Sequence, residues 1–449
     1  MLFDDTTHKY ESATQPRNSA ASQRPLRVAT ILEPRDIQTS LEEVAELERS
    51  IGRKLEVVIQ ATGRGAGTVV DENVVLFDTS LLNAVSIDAE SRIATVGAGA
   101  TWAEVNGEAE KYGLMGLAGS APSVSVSGYT FGGGIGWLVR RDGLASGSLR
   151  RVHYIDGTGQ SRIAADDAAE QLDRDAIWAF RGAGGVGVAH TLEFDLAPVA
   201  DLHAGMLLWH ASALPQLIAA WAAGIAAISG SVSTSISVLH VPPVPFFPAE
   251  LHGSVAVHLA IADPDGPEGA VPLLDAMRAA AIPVVDDWGP KDAAGLARIH
   301  LDPPAASPAV GSARWLDATT PDIARQIFSV TAAQSSPLVM TEIRHVAGAP
   351  TRRDGAVVTP PGAFIYHSVG SLLLTDRPGI EAGLEAINST WAAADTGVAP
   401  GSWLEGAAIA PSALPDAVLN RARSIADQVD PARRIRRSRL LGESRPVTS

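Results

Sequence analysis

From about residue 201 onward, apolar positions recur at every second residue in several short runs. Ser254 to Ala262 places Val255, Val257, Leu259 and Ile261 on one face and Ala256, His258 and Ala260 on the other. Ser233 to His240 alternates likewise, with Ser235 and Ser237 on a small, polar face. Leu338 to Val346 sets Met340, Glu342 and Arg344 on one face, and Phe364, Tyr366 and Ser368 share a face of a further run. A period of two predicts strands. One oily and one polar face predict an antiparallel sheet covered by helices on the oily side only. The helices that fit are Leu214 to Ile228, Ala270 to Ala281, Pro321 to Ala333 and Ile380 to Ala394. Thr320 is the expected N-cap of the third, with proline at its first helical position. The polar face of the sheet is then free to roof a site.

The first two hundred residues have a different texture. Short apolar runs at Arg27 to Leu32, Leu55 to Gln60, Val74 to Asp78, Ala84 to Asp88 and Arg92 to Gly97 read as strands. Ser40 with Glu43, and Thr101 with Glu104, form S/T-x-x-E capping boxes that open helices ending at Gly52 and Gly113. Strands mixed with helices give an α+β class. Residues 1–24 are polar and predict a loosely tied N-terminal arm, and Asp416 to Val429 predicts a late helix.

Two glycine-rich turns interrupt these elements. Leu55 to Gln60 runs into Ala61-Thr62-Gly63-Arg64-Gly65-Ala66-Gly67. Successive amides in such a turn make an anion-binding concavity. The second stretch, Gly119 to Trp137, holds six glycines and four serines, while Val124, Val126, Tyr129, Phe131, Ile135 and Trp137 favour its burial. Two such loops within eighty residues suggest a long ligand with a pyrophosphate. The candidate binding residues are Thr62, Gly63, Arg64, Gly65 and Ala66, then Ser120, Ser123, Val124, Gly128, Gly133 and Gly134. A third cluster, Gly182 to Gly187, spells G-x-G-x-x-G, but a helix-like run precedes it and a strand-like run follows. A dinucleotide fingerprint needs the reverse order, so no nicotinamide site is expected there.

Composition narrows the class. The 449 residues allow two or three domains, and 46% hydrophobic with 19% charged residues is ordinary for a globular protein. A net charge of −15 disfavours nucleic acid and membrane surfaces as partners. There is no cysteine, hence no disulfide framework and no thiolate metal site. No metal-ligand spacing and no nucleophile elbow occurs. The N-terminus lacks a signal-peptide pattern, and the run from Leu217 to Ile228 is too short to span a bilayer. A cytoplasmic protein is expected.

The ordered blocks VVIQATGRGAGTVV, VVLFDTSLLNAVSIDAESRIATVGAGATWAEV, GLAGSAPSVSVSGYTFGGGIGWLVRRDGLASGSL and IWAFRGAGGVGVAHTLEF resemble one known family. It is the vanillyl-alcohol oxidase and p-cresol methylhydroxylase (PCMH-type) family of FAD-binding oxidoreductases, in its berberine-bridge-like and hydroxynicotine-oxidase-like bacterial branch. The resemblance implies a PCMH-type FAD-binding domain over residues 25–200 and an inserted substrate domain over 201–398. It implies a C-terminal segment, 399–449, that returns to the first domain. It also implies backbone of Val188 near the flavin. Relatives usually carry a histidine, bonded to the flavin, where Arg64 stands, and some carry a cysteine where Ser146 stands. Neither tether exists, so any FAD is expected to be non-covalent, or lost. Ser125 replaces a usual glycine, and Trp403 and Glu405 stand where a Tyr-x-Asn motif is usual.

His258, Glu342, Arg344 and Tyr366 are the candidates for substrate contact or acid–base work, because parity aims them at the roof of the site. Glu342 and Arg344 can equally pair with each other. His300 and His345 are weaker candidates. Two functions fit. One is an FAD-dependent oxidoreductase that takes hydride from a small organic molecule, such as a secondary metabolite. The other is a non-redox cyclase or isomerase that uses the same pocket to shape its substrate.

Overall fold

The computed structural model describes residues 2–67, 69–303, 305–404 and 413–442. Among the described residues three larger sheets carry the fold, beside a two-stranded pair of Leu114–Met115 with Ala197–Pro198. The first has four strands in the order Leu2–Phe3, Arg27–Thr30, Val74–Asp78, Glu56–Gln60, with the last three parallel. The second is antiparallel, in the order Val85–Asp88, Ile93–Gly97, Val188–Asp195, Leu149–Ile155, Ser161–Ala165. The helix Gln171–Phe180 lies before the Gly182–Gly187 cluster and the strand Val188–Asp195 after it, the order that excludes a dinucleotide turn.

The third sheet has eight antiparallel strands. His203–His210, Val255–Asp263, Ser233–His240, Met340–His345, Phe364–Ser371 and Ala309–Leu316 follow one another across it, with two short strands at one edge. Its oily face carries Ile236, Val238, Val257, Leu259, Ile261 and Ile343. Those residues pack with the helices Leu214–Gly224, Val271–Ala280, Thr320–Ser329 and Arg377–Trp391. The opposite face turns towards the first domain, where Ala204, Ala260 and Ala262 join the core around Trp102 and Phe194.

Helix starts differ from expectation where caps compete. The second helix spans Pro34–Ile51, not from Ser40. Glu33 and Asp36 cap each other reciprocally and Pro34 presets the first turn, so the stronger signal lies upstream and Ser40 is buried inside the helix. The Thr101/Glu104 box opens Trp102–Ala109 as read. Thr319, not Thr320, stands at the N-cap position of the third covering helix, without a side-chain capping hydrogen bond.

The first and last described segments are both fastened. The helix Asp416–Val429 packs against Gln171–Phe180. Beyond it the Val57 N–H donates to the carbonyl of Arg434 and the Val57 carbonyl accepts from the N–H of Arg436, and Arg436 pairs with Glu56 at 2.7 Å. The N-terminal arm is tied rather than loose. Tyr10 donates to the carbonyl of Pro25 at 2.8 Å, and Asn18 holds Ala309, on the edge strand of the large sheet, through two hydrogen bonds.

Candidate functional site

A cavity of about 380 Å³ lies between the glycine loops and the polar face of the large sheet. Its floor comes from Ala61 to Ala66, from Gly119 to Ala121 with Val124, Ser125 and Gly128, from Gly184, Gly185, Gly187 and Ala189, and from Ile435 to Leu440. The turn after the strand Glu56–Gln60 is sharp because Gly63 sits at φ +64°, with Pro16 packed where a Cβ would go. Arg64, Arg436, Arg437 and Arg439 give this floor a positive character in a strongly acidic chain. Amides and guanidinium groups together suit a pyrophosphate.

Eight of the twelve predicted binding residues line the cavity: Thr62, Gly63, Arg64, Gly65, Ala66, Ser120, Val124 and Gly128. Four do not. Ser123 accepts a hydrogen bond from Arg17 of the N-terminal arm at 3.0 Å. Gly133 and Gly134 face protein: at φ +67°, Gly134 leaves space for the Tyr129 ring and Ala145. Val188 points into the core below the first sheet, so its neighbours Gly187 and Ala189 meet the cavity instead. Ser146 is buried and donates to the carbonyl of Val357 at 2.6 Å, away from the cavity lining. The basic stretch Arg433 to Arg439, which reads as solvated, is half-buried from Arg434 on and forms part of the floor.

The roof is a chain of alternating charges. Parity puts Glu342 and Arg344 on the cavity side of their strand, both fully buried. Arg344 Nε donates to Glu342 Oε1 at 2.8 Å. The other oxygen, Oε2, takes a hydrogen bond from His300 Nε2 at 2.9 Å, and His300 Nδ1 bonds Asp302 Oδ1 at 3.2 Å. Asp302 closes the chain on the floor through Arg64 Nη2 at 3.8 Å, with Ser120 as a further hydrogen-bond donor. Between His300 and Asp302, Leu301 is held at φ +68°, a strained conformation for a side-chain-bearing residue that costs about 1–3 kcal/mol. That twist lets both neighbours face the site.

Burial alone would discharge His300, but the two carboxylates outweigh it and raise its pKa to about 9. Burial alone would likewise raise Glu342; Arg344 and His300 hold it well below the usual carboxylate range. Asp302 is lowered against its own burial by His300 and Arg64. His258 differs. It donates to the carbonyl of Ile299, and burial beside charged His300 pushes it down to about 4, so it is neutral.

Tyr366 is corrected. The cross-strand pairs are Tyr366 with Ile343 and His367 with Glu342. Tyr366 therefore lies under the covering helices, against Trp391, and His367 takes the cavity side. Phe364 and Tyr366 read as a polar face only if the aromatic hydroxyl is weighed more than the ring. His300, Asp302, His367 and Trp403 complete the roof. The signal for the first two was R-I-H-L-D-P-P, a histidine and an aspartate two apart in a loop. Glu405 lies outside the described residues. Among the described residues no cluster of three His, Cys, Asp or Glu could hold a metal ion.

A glycine-lined, cationic floor under a polar sheet suits a dinucleotide cofactor, and comparison with known proteins agrees. Residues 31–164 match the FAD binding domain family. (R)-6-hydroxynicotine oxidase of Paenarthrobacter nicotinovorans is 28% identical over 190 residues, 42% of this chain and 39% of that protein. Berberine bridge enzyme-like 24 of Arabidopsis thaliana is 37% identical over 134 residues, 29% of this chain and 24% of that protein. The matched segments thus span well under half of either relative. The solved structure of 6-hydroxy-D-nicotine oxidase from Arthrobacter nicotinovorans superposes with a TM-score of 0.80 at 18% identity, covering 97% of this chain and 96% of that one. Residues 31–164 thus carry an FAD binding domain, the chain as a whole has the fold of 6-hydroxy-D-nicotine oxidase, and FAD is the cofactor. The cavity fits that group: glycine turns leave it room, and Arg64 with the C-terminal arginines answers its phosphates.

Proposed function

We propose that the protein is an FAD-dependent oxidoreductase that takes a hydride from a small organic molecule, with FAD held non-covalently. The carrying observation is the single cavity wall shared by the glycine loops and the His300–Asp302–His367 roof. Bound FAD supplies the two-electron acceptor. The chain's own groups hold the substrate, exclude water and manage a proton.

A substrate alcohol or amine that loses hydride must also lose a proton. His300 cannot take it, because both ring nitrogens already carry protons shared with Glu342 and Asp302. His258 sits behind the wall, bonded to Ile299. His367, the other imidazole on the cavity wall, is the proposed acceptor. Glu342 and Arg344 position His300 and set the field. The reported relatives include an oxidase by name, which supports redox chemistry over a cyclase or isomerase.

The test is spectroscopic. Purified protein should be yellow, release FAD into the supernatant on acid precipitation, and bleach when a substrate is added without oxygen. Turnover that persists after flavin removal, with product isomeric to substrate, would overturn the reading.

A further inference from the structure

We propose that the inner wall of the cavity is a carboxylate-recognition site, with Arg344 as its anchor and Trp403 as a movable partition in front of it. The proposal rests on the oxidoreductase reading for the cavity being the substrate site.

Arg344 is completely buried. Its Nε is used by Glu342, and its Cζ lies 4.0 Å from the Trp137 ring centre and 4.5 Å from that of Trp403. Nη1 and Nη2 have no hydrogen-bond partner among the described residues. They are not alone. Ser235 lies directly across the sheet from Arg344, and Ser237 from Glu342. Both hydroxyls are buried and unpartnered among the described residues, as is Trp137 Nε1.

A buried polar group without a partner costs about 1–3 kcal/mol, and folded proteins hold few of them. Here several gather around one guanidinium, and each can donate. What is missing is an acceptor. Charge does not oppose an anion here: Arg344 and His300 offset the carboxylates of Glu342 and Asp302, so the wall carries no excess negative charge.

The fork of two Nη groups matches a planar carboxylate in bidentate geometry. Trp137, which stays beside the guanidinium, offers apolar surface to a ring attached to it. Access is through Trp403. It is half-buried, ends the short turn Gly401–Trp403, lines the cavity and touches Arg344. It therefore stands between the cavity and the anchor, so an aromatic carboxylate would have to displace it.

The experiment titrates the FAD-loaded full chain with benzoate and with benzamide, reading the change in flavin absorption. Benzoate should saturate, and benzamide should bind roughly tenfold or more weakly. Arg344→Lys should weaken benzoate by about tenfold, and the pair Ser235→Ala with Ser237→Ala by a few-fold, the serine variant keeping the native FAD content and melting. If Arg344→Lys does not fold, the serine variant and the benzoate-to-benzamide ratio decide. Equal binding of benzamide, or variants that bind benzoate as the native chain does, would overturn the site. A preparation whose flavin is reduced by a neutral substrate but ignores benzoate sinks this proposal alone. One that never holds FAD sinks the oxidoreductase reading instead, and tryptophan fluorescence then reads the benzoate titration.

Discussion

His300 and Glu342, 42 positions apart in the chain, share a buried hydrogen bond of 2.9 Å that joins a loop to the central sheet strand Met340–His345. The loop's next side chain but one, Asp302, reaches Arg64 on the glycine turn. One imidazole thus couples the roof of the cavity to its floor, and its charge state is the natural place to test the assembly.

That charge predicts a pH dependence. His300 has a folded pKa of about 9, above its ordinary value near 6.5. A raised value contributes stability that is complete below about pH 6.5 and disappears as pH rises through about 9. Glu342 and Asp302, both lowered, contribute in the opposite sense: their share is present above the ordinary carboxylate range and lost in strong acid. Urea midpoints should therefore fall between pH 7 and pH 9.5, with a stability loss on the order of 2 kcal/mol. His300→Asn should flatten that slope. A native chain with equal midpoints at both values would refute the clamped imidazolium.

Arg64 should matter to cofactor retention. Arg64→Met removes a cation from the floor and leaves Asp302 one partner short. FAD should bind roughly tenfold more weakly, and the native affinity should fall with salt more steeply than that of the variant. Flavin fluorescence during dialysis measures both. Flavin that stays with the acid-precipitated native polypeptide would show a covalent bond and contradict the prediction.

Tyr366 and His367 are adjacent and should behave oppositely. Tyr366→Phe deletes a hydroxyl that lies under the covering helices beside Ser368 and Trp391, so stability should change by about 1 kcal/mol or less and turnover should be unaffected. His367→Gln should lower kcat by about a hundredfold or more and remove the corresponding limb of the pH–rate profile. A large loss of kcat in Tyr366→Phe would reinstate the parity that the register overturns.

Gly134→Ala should be costly for the fold. The new methyl would meet the Tyr129 ring and Ala145 Cβ at 2.6 Å, at a φ of +67° that alanine resists. A loss of at least about 2 kcal/mol in a thermal or urea melt is expected. The glycine is there for packing, so FAD affinity at saturating stability should change less than in Arg64→Met.

Much of this was legible in the chain itself. Alternation along Val255 to Ile261 and Met340 to Arg344 settles which face meets the helices, because one misplaced valine costs more than any local preference. The turn at Gly63 to Ala66 announces itself through glycine spacing after a strand. The parity of Phe364 to Ser371 was ambiguous because that strand is apolar on both faces, with His367 as the sole polar ring on the cavity side. The Asp302–Arg64 contact was invisible for another reason. Two residues 238 positions apart meet only through the packing of two domains, and no period in the sequence encodes that. Arg436, Arg437 and Arg439 read as a solvated charge run since nothing local reports that the chain end lies in a groove.

The floor of the cavity draws on Ala61 to Ala66 near one end of the chain and on Ile435 to Leu440 near the other. During synthesis the glycine turns leave the ribosome hundreds of residues before the strip that completes their groove. A nascent chain can fold its sheets early, yet the dinucleotide can be fully enclosed only once Ile435 to Leu440 have been made. Cofactor loading thereby reports that this late strip is in place, and chains truncated before residue 435 would carry the glycine turns but leave the groove open.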